Sequence, residues 1–402
     1  MTKSKQPQYR FDSFEGEWEE KKLGEISNIV RGASPRPIQD PKWFDSKSDI
    51  GWLRISDVTE QEGRITYLQQ RISELGQEKT RVLKDPHLLL SIAATVGKPV
   101  INYVKTGVHD GFLVFLDPKF NREFMFQWLD MFRPYWNKYG QPGSQVNLNS
   151  EIVRNQVINL PSLPEQEAIG ELFQTVDQLL QLQDQKLATL KEQKQTFLRK
   201  MFPAQGQKVP EIRLQGFDGE WEEKKLGEIS RMFSGGTPNV GIPEYYNGNI
   251  PFIRSAEINS DQTELSITDK GLSNSSAKLV EKNTLLYALY GATSGEVGLS
   301  RISGAINQAI LAIIPEKKYS SLFIKNWLYK QKSSIIEKYL QGGQGNLSGS
   351  IVKELTIHFP SLSEQEAIGN FFQTLDQQIA QSEEKLTELK ALKQTLLNRL
   401  FV

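Results

Sequence analysis

The side chains best suited to catalysis are few and isolated in this sequence. Its three histidines are His87, His109 and His358, and they lack the short spacing that places two metal ligands on one face of a helix. Only His109 has an acid beside it, Asp110. The chain contains no cysteine, which excludes disulfides, thiolate zinc sites and thiol nucleophiles. A core or surface role is the simpler interpretation of each histidine.

Two other stretches could suggest enzymatic chemistry. Gly97-Lys98-Pro99 lacks the glycine-rich run and the Ser or Thr of a phosphate-binding loop, and no GxSxG elbow is present. The acids of EWEEKKLGE, residues 17–25, belong to a charged amphipathic stretch in which solvation explains them. The sequence therefore contains no convincing active site.

Side chains suited to binding are concentrated in two loops, KYGQPGSQVNLN (138–149) and KYLQGGQGNLSG (338–349). Turn chemistry alone would explain their glycines. Their density of Gln, Asn, Ser, Tyr and Lys favours contact with phosphates and base edges. The segments WLRISDV, FIRSAEI, TVGKPVIN and SGGTP add cations and a hydroxyl, although WLRIS and FIRSA also resemble strands. The candidates for nucleic-acid contact are Arg54, Lys98, Lys138, Tyr139, Gln141, Ser144, Gln145, Asn147, Thr237, Arg254, Lys338, Tyr339, Gln341, Gln344 and Asn346.

The elements that must position these residues are written twice in the chain. Residues 14–27, FEGEWEEKKLGEIS, return at 217–230 with Glu15 replaced by Asp218. Residues 161–202 align without a gap on 360–401, and both segments begin with PSL and share EQEAIG. The sequence therefore predicts a tandem duplication in which each copy runs from a short motif through a variable middle to a long helix.

A heptad pattern makes the helices the strongest local prediction. From Ile169 onward, seam positions recur at alternating intervals of four and three residues in both copies. Polar residues interrupt the seam at Gln183 and Lys194, and at Ser382 and Lys393 in the second copy, where they would fix the register of pairing. The apolar residues predicted to form the helix–helix interface are Ile169, Phe173, Val176, Leu180, Leu187, Leu190, Phe197, Ile368, Phe372, Leu375, Ile379, Leu386, Leu389 and Leu396.

Connectivity predicts how the helices pair. The segment from Phe202 to Gly216 contains two prolines and two glycines and is typical of a linker. It leads from the end of the first helix into the second middle, which leads to the start of the second helix, so paired helices must run antiparallel. We expect a recognition domain in residues 1–160, a spacer helix in 161–202, a linker and second domain in 203–359, and a second spacer helix in 360–402.

Composition indicates a soluble protein whose partners are recognised locally. The 402 residues contain 48 Lys and Arg and 48 Asp and Glu, so no overall basic field attracts nucleic acid. No apolar run approaches a membrane span, and the N-terminus lacks the apolar core of a signal peptide. We expect a cytoplasmic protein without membrane contact, whose nucleic-acid binding rests on local patches.

The doubled plan resembles the specificity subunit of type I restriction-modification systems. The resemblance covers essentially the whole chain and rests on WEEKKLGEI before each middle, G(A/G)(S/T)P after it, and the PSLxEQEAIGxxFQTxDQ helix. It implies an α+β fold with two mixed α/β target recognition domains, separated by two long antiparallel helices that form a coiled coil and act as a ruler. Each domain would recognise one half of a split sequence in double-stranded DNA.

The resemblance also implies partners and the absence of catalysis. Two adenine methyltransferase subunits would dock on this chain and carry the restriction subunits. S-adenosylmethionine, ATP and magnesium would bind to those partners, leaving no cofactor and no metal in this chain. Because the two middles differ strongly, the target would have different half-sites.

A coiled-coil scaffold that binds proteins without DNA specificity is the alternative, and the neutral charge favours it slightly. A scaffold, however, would have no reason to keep both frames while diversifying both middles.

Overall fold

The computed structural model of the chain describes residues 6–139, 148–340 and 346–401. These residues form two compact units. Unit 1 consists of residues up to 184 together with 384 onward, and unit 2 consists of residues 185–383. Each unit therefore contains one variable middle and a part of both long helices.

Unit 1 has a mixed α/β fold. Its strands are β1 (Glu19–Lys22), β2 (Asn28–Arg31), β3 (Gly51–Trp52), β4 (Arg64–Ile65), β5 (Arg81–Leu83), β6 (Leu88–Ser91), β7 (Pro99–Asn102), β8 (Thr106–Val108), β9 (Phe112–Leu116) and β10 (Val157–Leu160). Its helices are α1 (Leu23–Ile26), α2 (Ile55–Glu60), α3 (Glu74–Gln77), α4 (Arg122–Phe132), α5 (Ser150–Asn155) and the start of α6 (Leu163–Lys200). The main sheet has the order β2-β9-β6-β7-β4, and β3-β8-β5 and β1-β10 form smaller sheets.

Unit 2 repeats this plan. Its strands are β11 (Glu222–Lys225), β12 (Ser230–Ser234), β13 (Tyr246–Ile253), β14 (Ser266–Ile267), β15 (Lys278–Val280), β16 (Leu285–Ala288), β17 (Val297–Leu299), β18 (Gly304–Ile306), β19 (Ile310–Pro315) and β20 (Thr356–Phe359). Its helices are α7 (Leu226–Ile229), α8 (Asp269–Ser273), α9 (Ser321–Leu340), α10 (Gly349–Lys353) and the start of α11 (Leu362–Leu400). The sheets have the orders β12-β19-β16-β17, β14-β13-β18-β15 and β11-β20. The units differ in one strand, since β4 joins the main sheet whereas β14 joins the second sheet.

The main sheet of each unit is buried on both faces. In β9, Leu113 and Phe115 pack into the core on the helical side, while Phe112 and Val114 pack into the core shared with the second sheet. Alternate residues of a strand point to opposite faces, so a continuous apolar run serves two cores. Strand β19 does the same. The apolar runs LVFL and AILAII form most of β9 and β19, and FMFQWLDMF and LFIKNWLY lie within α4 and α9.

The long helices pair antiparallel within each unit. In unit 1, the rings of Phe173 and Phe401 stack with centroids 5.8 Å apart, and Asp177 contacts Lys393. In unit 2, Phe197 packs edge-on against Phe371 at 5.1 Å. All fourteen apolar residues predicted for the helix–helix interface are buried or half-buried, as a heptad seam requires. Leu198 and Leu397, outside the seam, are also buried.

The repeated motif EQEAIG attaches the start of each long helix to the globular part of its unit. The side-chain amide of Gln166 accepts a hydrogen bond from the backbone N–H of Asn121 at 2.9 Å and donates to the carbonyl of Pro161 at 2.8 Å. Gln365 makes the same two contacts with Ser320 and Pro360. Because both glutamine side chains are buried, these hydrogen bonds fix the start of the helix against the segment that precedes α4 or α9.

The glutamate of this motif forms a buried ion pair. Glu165 accepts two hydrogen bonds from the guanidinium of Arg10, each 2.7 Å long, and Glu364 accepts the equivalent pair from Arg213. Both glutamates are almost fully buried. An acid that only complements the helix dipole could remain exposed in the first turn, so burial indicates that these glutamates serve the bidentate contact with arginine. The repeat thus extends upstream to Tyr9 and Ile212, whose N–H groups donate to the carbonyls of Arg399 and Lys200.

The last turn of each long helix is buried in a domain core. Leu397 and Leu400 of α11 and Phe401 just beyond its end pack with Trp18 and Phe124 in unit 1. Leu198, Met201 and Phe202, at and just beyond the end of α6, pack with Trp221 and Phe323 in unit 2. The core of each unit is therefore completed by the far end of the helix that starts in the other repeat.

Candidate nucleic-acid interface

Three segments meet at one edge of the main sheet in each unit. Strands β2 and β6 both pair antiparallel with β9, so the ends of β2 and β6 lie beside the start of β9. In unit 1, the segments are 32–36, 92–98 and 109–111, and in unit 2 they are 235–239, 289–296 and 307–309. We call each set of segments the loop edge of its unit.

The two loop edges share one backbone frame. Equivalent hydrogen bonds join their segments with nearly equal lengths. Ala33 N donates to Val108 O at 3.0 Å, and Gly236 N donates to Ile306 O at 3.2 Å. Ile92 N donates to Gly111 O, and Leu289 N donates to Ala309 O, at 2.8 Å each. Gly97 N donates to Ser91 O at 2.8 Å, and Gly295 N donates to Ala288 O at 2.9 Å. Different sequences therefore hold the main chain in the same arrangement.

Glycines make this frame possible. A Cβ atom on Gly32 would lie 2.1 Å from the carbonyl oxygen of His109, and one on Gly235 would lie 1.8 Å from that of Ile306. Gly97 and Gly295 both have φ of +77°, a left-handed conformation that side chains disfavour. The glycines repeated in RGASP and SGGTP are thus required by the close approach of two main-chain segments.

At the centre of the loop edge of unit 1, Asp110 is held by three groups. The hydroxyl of Ser34 donates to Oδ1 at 2.7 Å, Nη2 of Arg36 donates to Oδ2 at 2.6 Å, and Nε of Arg31 donates to the Asp110 carbonyl at 2.6 Å. Burial by itself would raise the pKa of the Asp110 carboxyl, but the Ser34 hydroxyl and the Arg36 charge hold it below its usual value. Asp110 is therefore ionised at neutral pH and orients an exposed arginine.

Gln308 lies at the equivalent position of unit 2. The hydroxyl of Thr237, the counterpart of Ser34, donates to Gln308 Oε1 at 2.5 Å. Asn239 stands where unit 1 has Arg36. The hydroxyl that holds the side chain is thus kept between the units, while the carboxylate–arginine pair is replaced by a neutral amide.

The hairpin loop between β6 and β7 (residues 92–98) and its counterpart between β16 and β17 (residues 289–296) carry opposite charges at one equivalent position. In unit 1, Lys98 Nζ lies 3.4 Å from Asp130 of α4 and 3.6 Å from Glu62. In unit 2, the equivalent residue Glu296 contacts Lys332 of α9 at 2.5 Å. Each ion pair fastens the loop to the helix behind it, so Lys98, predicted to contact DNA, also supports the loop edge.

The loop edge of unit 1 is the more cationic one. Arg36 lies on it and Arg31 lies directly before it at the end of β2. Arg81 of β5 lies beside it, with Nε 3.4 Å from the Arg31 carbonyl. The equivalent positions of unit 2 hold Ser234, Asn239 and Lys278. Guanidinium groups bind phosphate and guanine well, so the units differ in the chemistry that they offer to a polyanion.

The two predicted arginines on the second sheet are engaged within their own domains. Arg54 Nη2 lies 2.7 Å from Asp57, and Arg254 Nη2 lies 3.0 Å from Glu257 and 2.6 Å from Glu264. Both arginine side chains are about one-third exposed and lie at the start of a short helix. DNA contact by these arginines stays a prediction, and it would have to use donors beyond these ion pairs.

Other predicted residues flank the segments that lie outside the described residues. Lys138 Nζ lies 4.8 Å from the Tyr139 ring centroid, and Lys338 Nζ lies 5.1 Å from that of Tyr339. Both lysines are exposed, as are Thr237 and Asn346. Leu347 N donates to Leu289 O at 3.0 Å, so in unit 2 Leu347 lies beside the loop edge. The predicted residues Gln141, Ser144, Gln145, Asn147, Gln341 and Gln344 lie outside the described residues.

The histidines have structural surroundings. His109 accepts a hydrogen bond from the Gly111 N–H at Nδ1 and packs edge-on against Phe112 with ring centroids 4.8 Å apart. Burial lowers the pKa of its imidazole, which is therefore neutral at pH 7.

Within residues 6–139, 148–340 and 346–401, no group of three His, Cys, Asp or Glu side chains could hold a metal ion. Over the same residues, no helix is long and apolar enough to cross a membrane.

Sequence reasoning missed Arg36, Gln308 and the pairing of Asp110. Asp110 drew notice only as the neighbour of His109, and Gln308 drew none. Asp110 and Gln308 both lie two residues before the start of a strand, β9 or β19, and this equivalence is visible only after the two middles are aligned by their strands.

Comparison with known families accounts for the repeat. A family model described as the type I restriction modification DNA specificity domain matches the chain twice, over residues 15–192 and 218–391. The chain belongs to this family. The resemblance seen in the sequence is thereby confirmed, and each match to the specificity domain contains one loop edge.

Curated relatives carry the same family name. The specificity subunit of type I restriction enzyme MjaIX from Methanocaldococcus jannaschii is 27% identical over 194 residues, which are 46% of this chain and 44% of that protein. The specificity subunit of EcoR124I/EcoR124II from Escherichia coli is 27% identical over 185 residues, 43% of this chain and 46% of that protein. The chain thus spans about half the length of the curated relatives it matches.

Solved structures of specificity subunits have the same fold. The crystal structure of the type I restriction-modification S subunit from M. genitalium superposes with a TM-score of 0.66 at 15% identity and covers 99% of both chains. A structure from a study of the assembly and conformational transition of a type I system has a TM-score of 0.54 at 17% identity and covers 96% of this chain and 97% of that one. The predicted fold class, mixed α/β domains in an internal repeat with long helices, is confirmed.

Proposed function

We propose that this chain is the non-catalytic subunit that recognises the DNA target of a type I restriction-modification system. Each recognition domain would bind one half of a bipartite, asymmetric sequence in double-stranded DNA. The observation that carries this proposal is the loop edge, where one backbone frame presents different polar side chains in the two units.

Discrimination between two half-sites must come from residues that differ between the units. Strands β1 and β11 are both EEKK, and the long helices share their seam pattern, so these elements cannot account for a difference between two half-sites. The loop edges keep their glycines and backbone hydrogen bonds but exchange Asp110 for Gln308 and Arg36 for Asn239. Variation on a fixed frame is what recognition of two different sequences requires.

The repeated elements suit a partner that binds twice. Glu19 and Glu20 of β1 are exposed, and so are Glu222 and Glu223 at the same positions of β11. Two copies of one surface on one chain fit two copies of one partner. In this proposal, two adenine methyltransferase subunits dock there and carry the restriction subunits. S-adenosylmethionine, ATP and magnesium would then belong to those partners, and this chain would work in the cytoplasm.

The test is to map methylated adenines across the genome of a host that carries this chain and its methyltransferase partner. The proposal predicts one split motif with a constant gap and two different half-sites. It also predicts that the purified complex retains DNA bearing that motif in a mobility-shift assay and releases a scrambled duplex of equal length. Equal retention of both duplexes, together with no methylated motif, would favour the scaffold function instead.

A further inference from the structure

Asp110 in unit 1 and Gln308 in unit 2 lie at the same place in the fold but have different side chains. Both residues lie two positions before the first residue of a strand of the main sheet, β9 or β19, and both accept a hydrogen bond from the hydroxyl of the G(A/G)(S/T)P motif. Because the backbone around the two residues is the same, the units differ here in the side-chain group that they expose, a carboxylate in unit 1 and an amide in unit 2.

Gln308 has the donor and acceptor pattern that adenine requires. Its side chain is exposed, and its hydrogen bond from Thr237 uses one of the two lone pairs of Oε1. The second lone pair can accept from adenine N6, and the amide Nε2 can donate to adenine N7. Thr237 fixes the orientation of the amide, so little side-chain entropy remains to be lost on binding.

Arg36 has the geometry suited to guanine. Its side chain is 72% exposed, and one of its five donors is bound to Asp110. The remaining donors of the guanidinium fork match the O6 and N7 acceptors of guanine in the major groove. Asp110, itself held by Ser34, anchors the fork at one corner, so Asp110 acts as a positioning residue for Arg36.

We infer that the loop edge specifies one base in each half-site, an adenine recognised by Gln308 in unit 2 and a guanine recognised by Arg36, which is positioned by Asp110, in unit 1. The inference rests on the proposed function, since it presupposes that the loop edges face DNA. It goes further by assigning one base to one side chain in each domain.

The test is a selection of binding sites from a randomised duplex library by the complex of this chain with its methyltransferase partner. Wild-type protein is compared with Gln308→Ala, Arg36→Ala and Arg36→Lys. Two exposed positions away from the loop edges serve as controls. Gln262→Ala removes an amide from unit 2, and Lys119→Ala removes one positive charge beyond the other end of β9.

Gln308→Ala should lose preference for a single adenine of the second half-site, with the first half-site unchanged. A bidentate contact to a base discriminates by about 5- to 150-fold, and that factor should fall to near one at this position only. Arg36→Ala and Arg36→Lys should both lose a single guanine of the first half-site. Arg36→Lys keeps the charge, so its loss of discrimination separates base recognition from phosphate contact. Both controls should select the wild-type motif.

A double variant of unit 1 that carries the residues of unit 2 tests for a gain of adenine recognition. The double variant Arg36→Asn with Asp110→Gln builds the chemistry of unit 2 into unit 1 on the Ser34 hydroxyl. It should select adenine in place of guanine at one position of the first half-site. Urea unfolding of each variant confirms that the fold is kept, as expected for exposed side chains.

The contrary outcomes are distinct. A wild-type complex that selects no motif would overturn both the proposed function and this inference. A wild-type motif that survives unchanged in Gln308→Ala and Arg36→Ala would overturn this inference alone. An equal loss of affinity for all sequences in Arg36→Ala, with a shallower salt dependence and an unchanged motif, would make Arg36 a phosphate contact and also overturn its assignment.

Discussion

The carboxylate of Asp177 on α6 accepts a hydrogen bond from the ammonium of Lys393 on α11, with Oδ1 and Nζ 2.8 Å apart. The same carboxylate lies 2.9 Å from Arg64 Nη2 and 2.8 Å from the Gln127 amide, both in the recognition domain of unit 1. Asp177 therefore connects both long helices to the domain. The polar seam position at Lys393 is matched to one acid, which fixes the register of the helix pair in this unit.

Replacing Asp177 with alanine should destabilise unit 1 by about 3 kcal/mol, because Lys393 would remain half-buried without its counter-charge and Arg64 would keep only its ion pair with Glu123. The exposed Asp184, also on α6, provides the matched control, and Asp184→Ala should cost less than about 0.5 kcal/mol. Urea unfolding followed by tryptophan fluorescence measures both variants. Equal midpoints for the two would mean that the ion pair adds nothing to stability.

The seam should also confer acid sensitivity. Burial acts to raise the pKa of both Asp177 and Asp376, but the facing cations, Lys393 and Arg64 for the first and Lys325 and Lys194 for the second, hold each pKa below its usual value. The unfolded chain then binds protons that the folded chain does not, so this contribution is present above the unfolded pKa of 3.8 and is lost as pH falls below it.

The double variant Asp177→Asn with Asp376→Asn should therefore be less stable than wild type at pH 7 and should lose less stability between pH 5 and pH 2. Free energies of unfolding measured at several pH values give the two slopes. Asp261→Asn, at an exposed position, should follow the wild-type slope. Parallel slopes for the double variant and wild type would locate the acid sensitivity elsewhere.

Gly97 tests whether the hairpin loop must pack closely. A Cβ atom there would lie 2.5 Å from the buried ring of Trp136, and the backbone has φ of +77°. Gly206 has φ of +80° with nothing within 4 Å of an added Cβ. Gly206→Ala should cost no more than the strain of roughly 1–2 kcal/mol, whereas Gly97→Ala should add an overpacking cost of about 1–3 kcal/mol. Similar urea midpoints for the two variants would show that the loop moves away from Trp136 without cost.

Exchange of a whole middle should be independent of the other copy. Replacing residues 28–160 with the corresponding segment of another specificity subunit should change one half of the methylated motif and leave the other half intact, because unit 2 keeps its loop edge. Methylome sequencing of the host supplies the measurement. A reciprocal exchange in residues 231–359 is the control, and it should change only the opposite half. Loss of both halves in either exchange would contradict independent domains.

The long helices could be predicted from sequence because their signal is local and redundant. The heptad seam runs from Ile169 to Met201, and α6 spans Leu163–Lys200. Likewise, the apolar runs LVFL and AILAII are strands because they bury both faces. In Arg54 and Arg254 a local signal was overlooked, since an acid three residues later in each sequence forms the ion pair.

The loop edge could not be predicted in the same way because its contacts are long-range. Ser34 and Asp110 are 76 residues apart, and Thr237 and Gln308 are 71 apart. Strand pairing, which no single segment specifies, brings them together. Sequence composition instead drew attention to the polar loops 138–149 and 338–349, where hydrogen-bonding residue types are dense.

The segment from Tyr9 to Trp18 packs against the end of α11, and the segment from Ile212 to Trp221 packs in the same way against the end of α6. In the second case, residues 201–211 supply the covalent connection between helix end and segment. The contact between Tyr9 and Arg399 is therefore equivalent to the contact between Ile212 and Lys200, although the chain is continuous only from Lys200 to Ile212. A permuted chain that opens within 203–208 and joins Phe401 to Tyr9 through a linker of similar length would keep every contact described above.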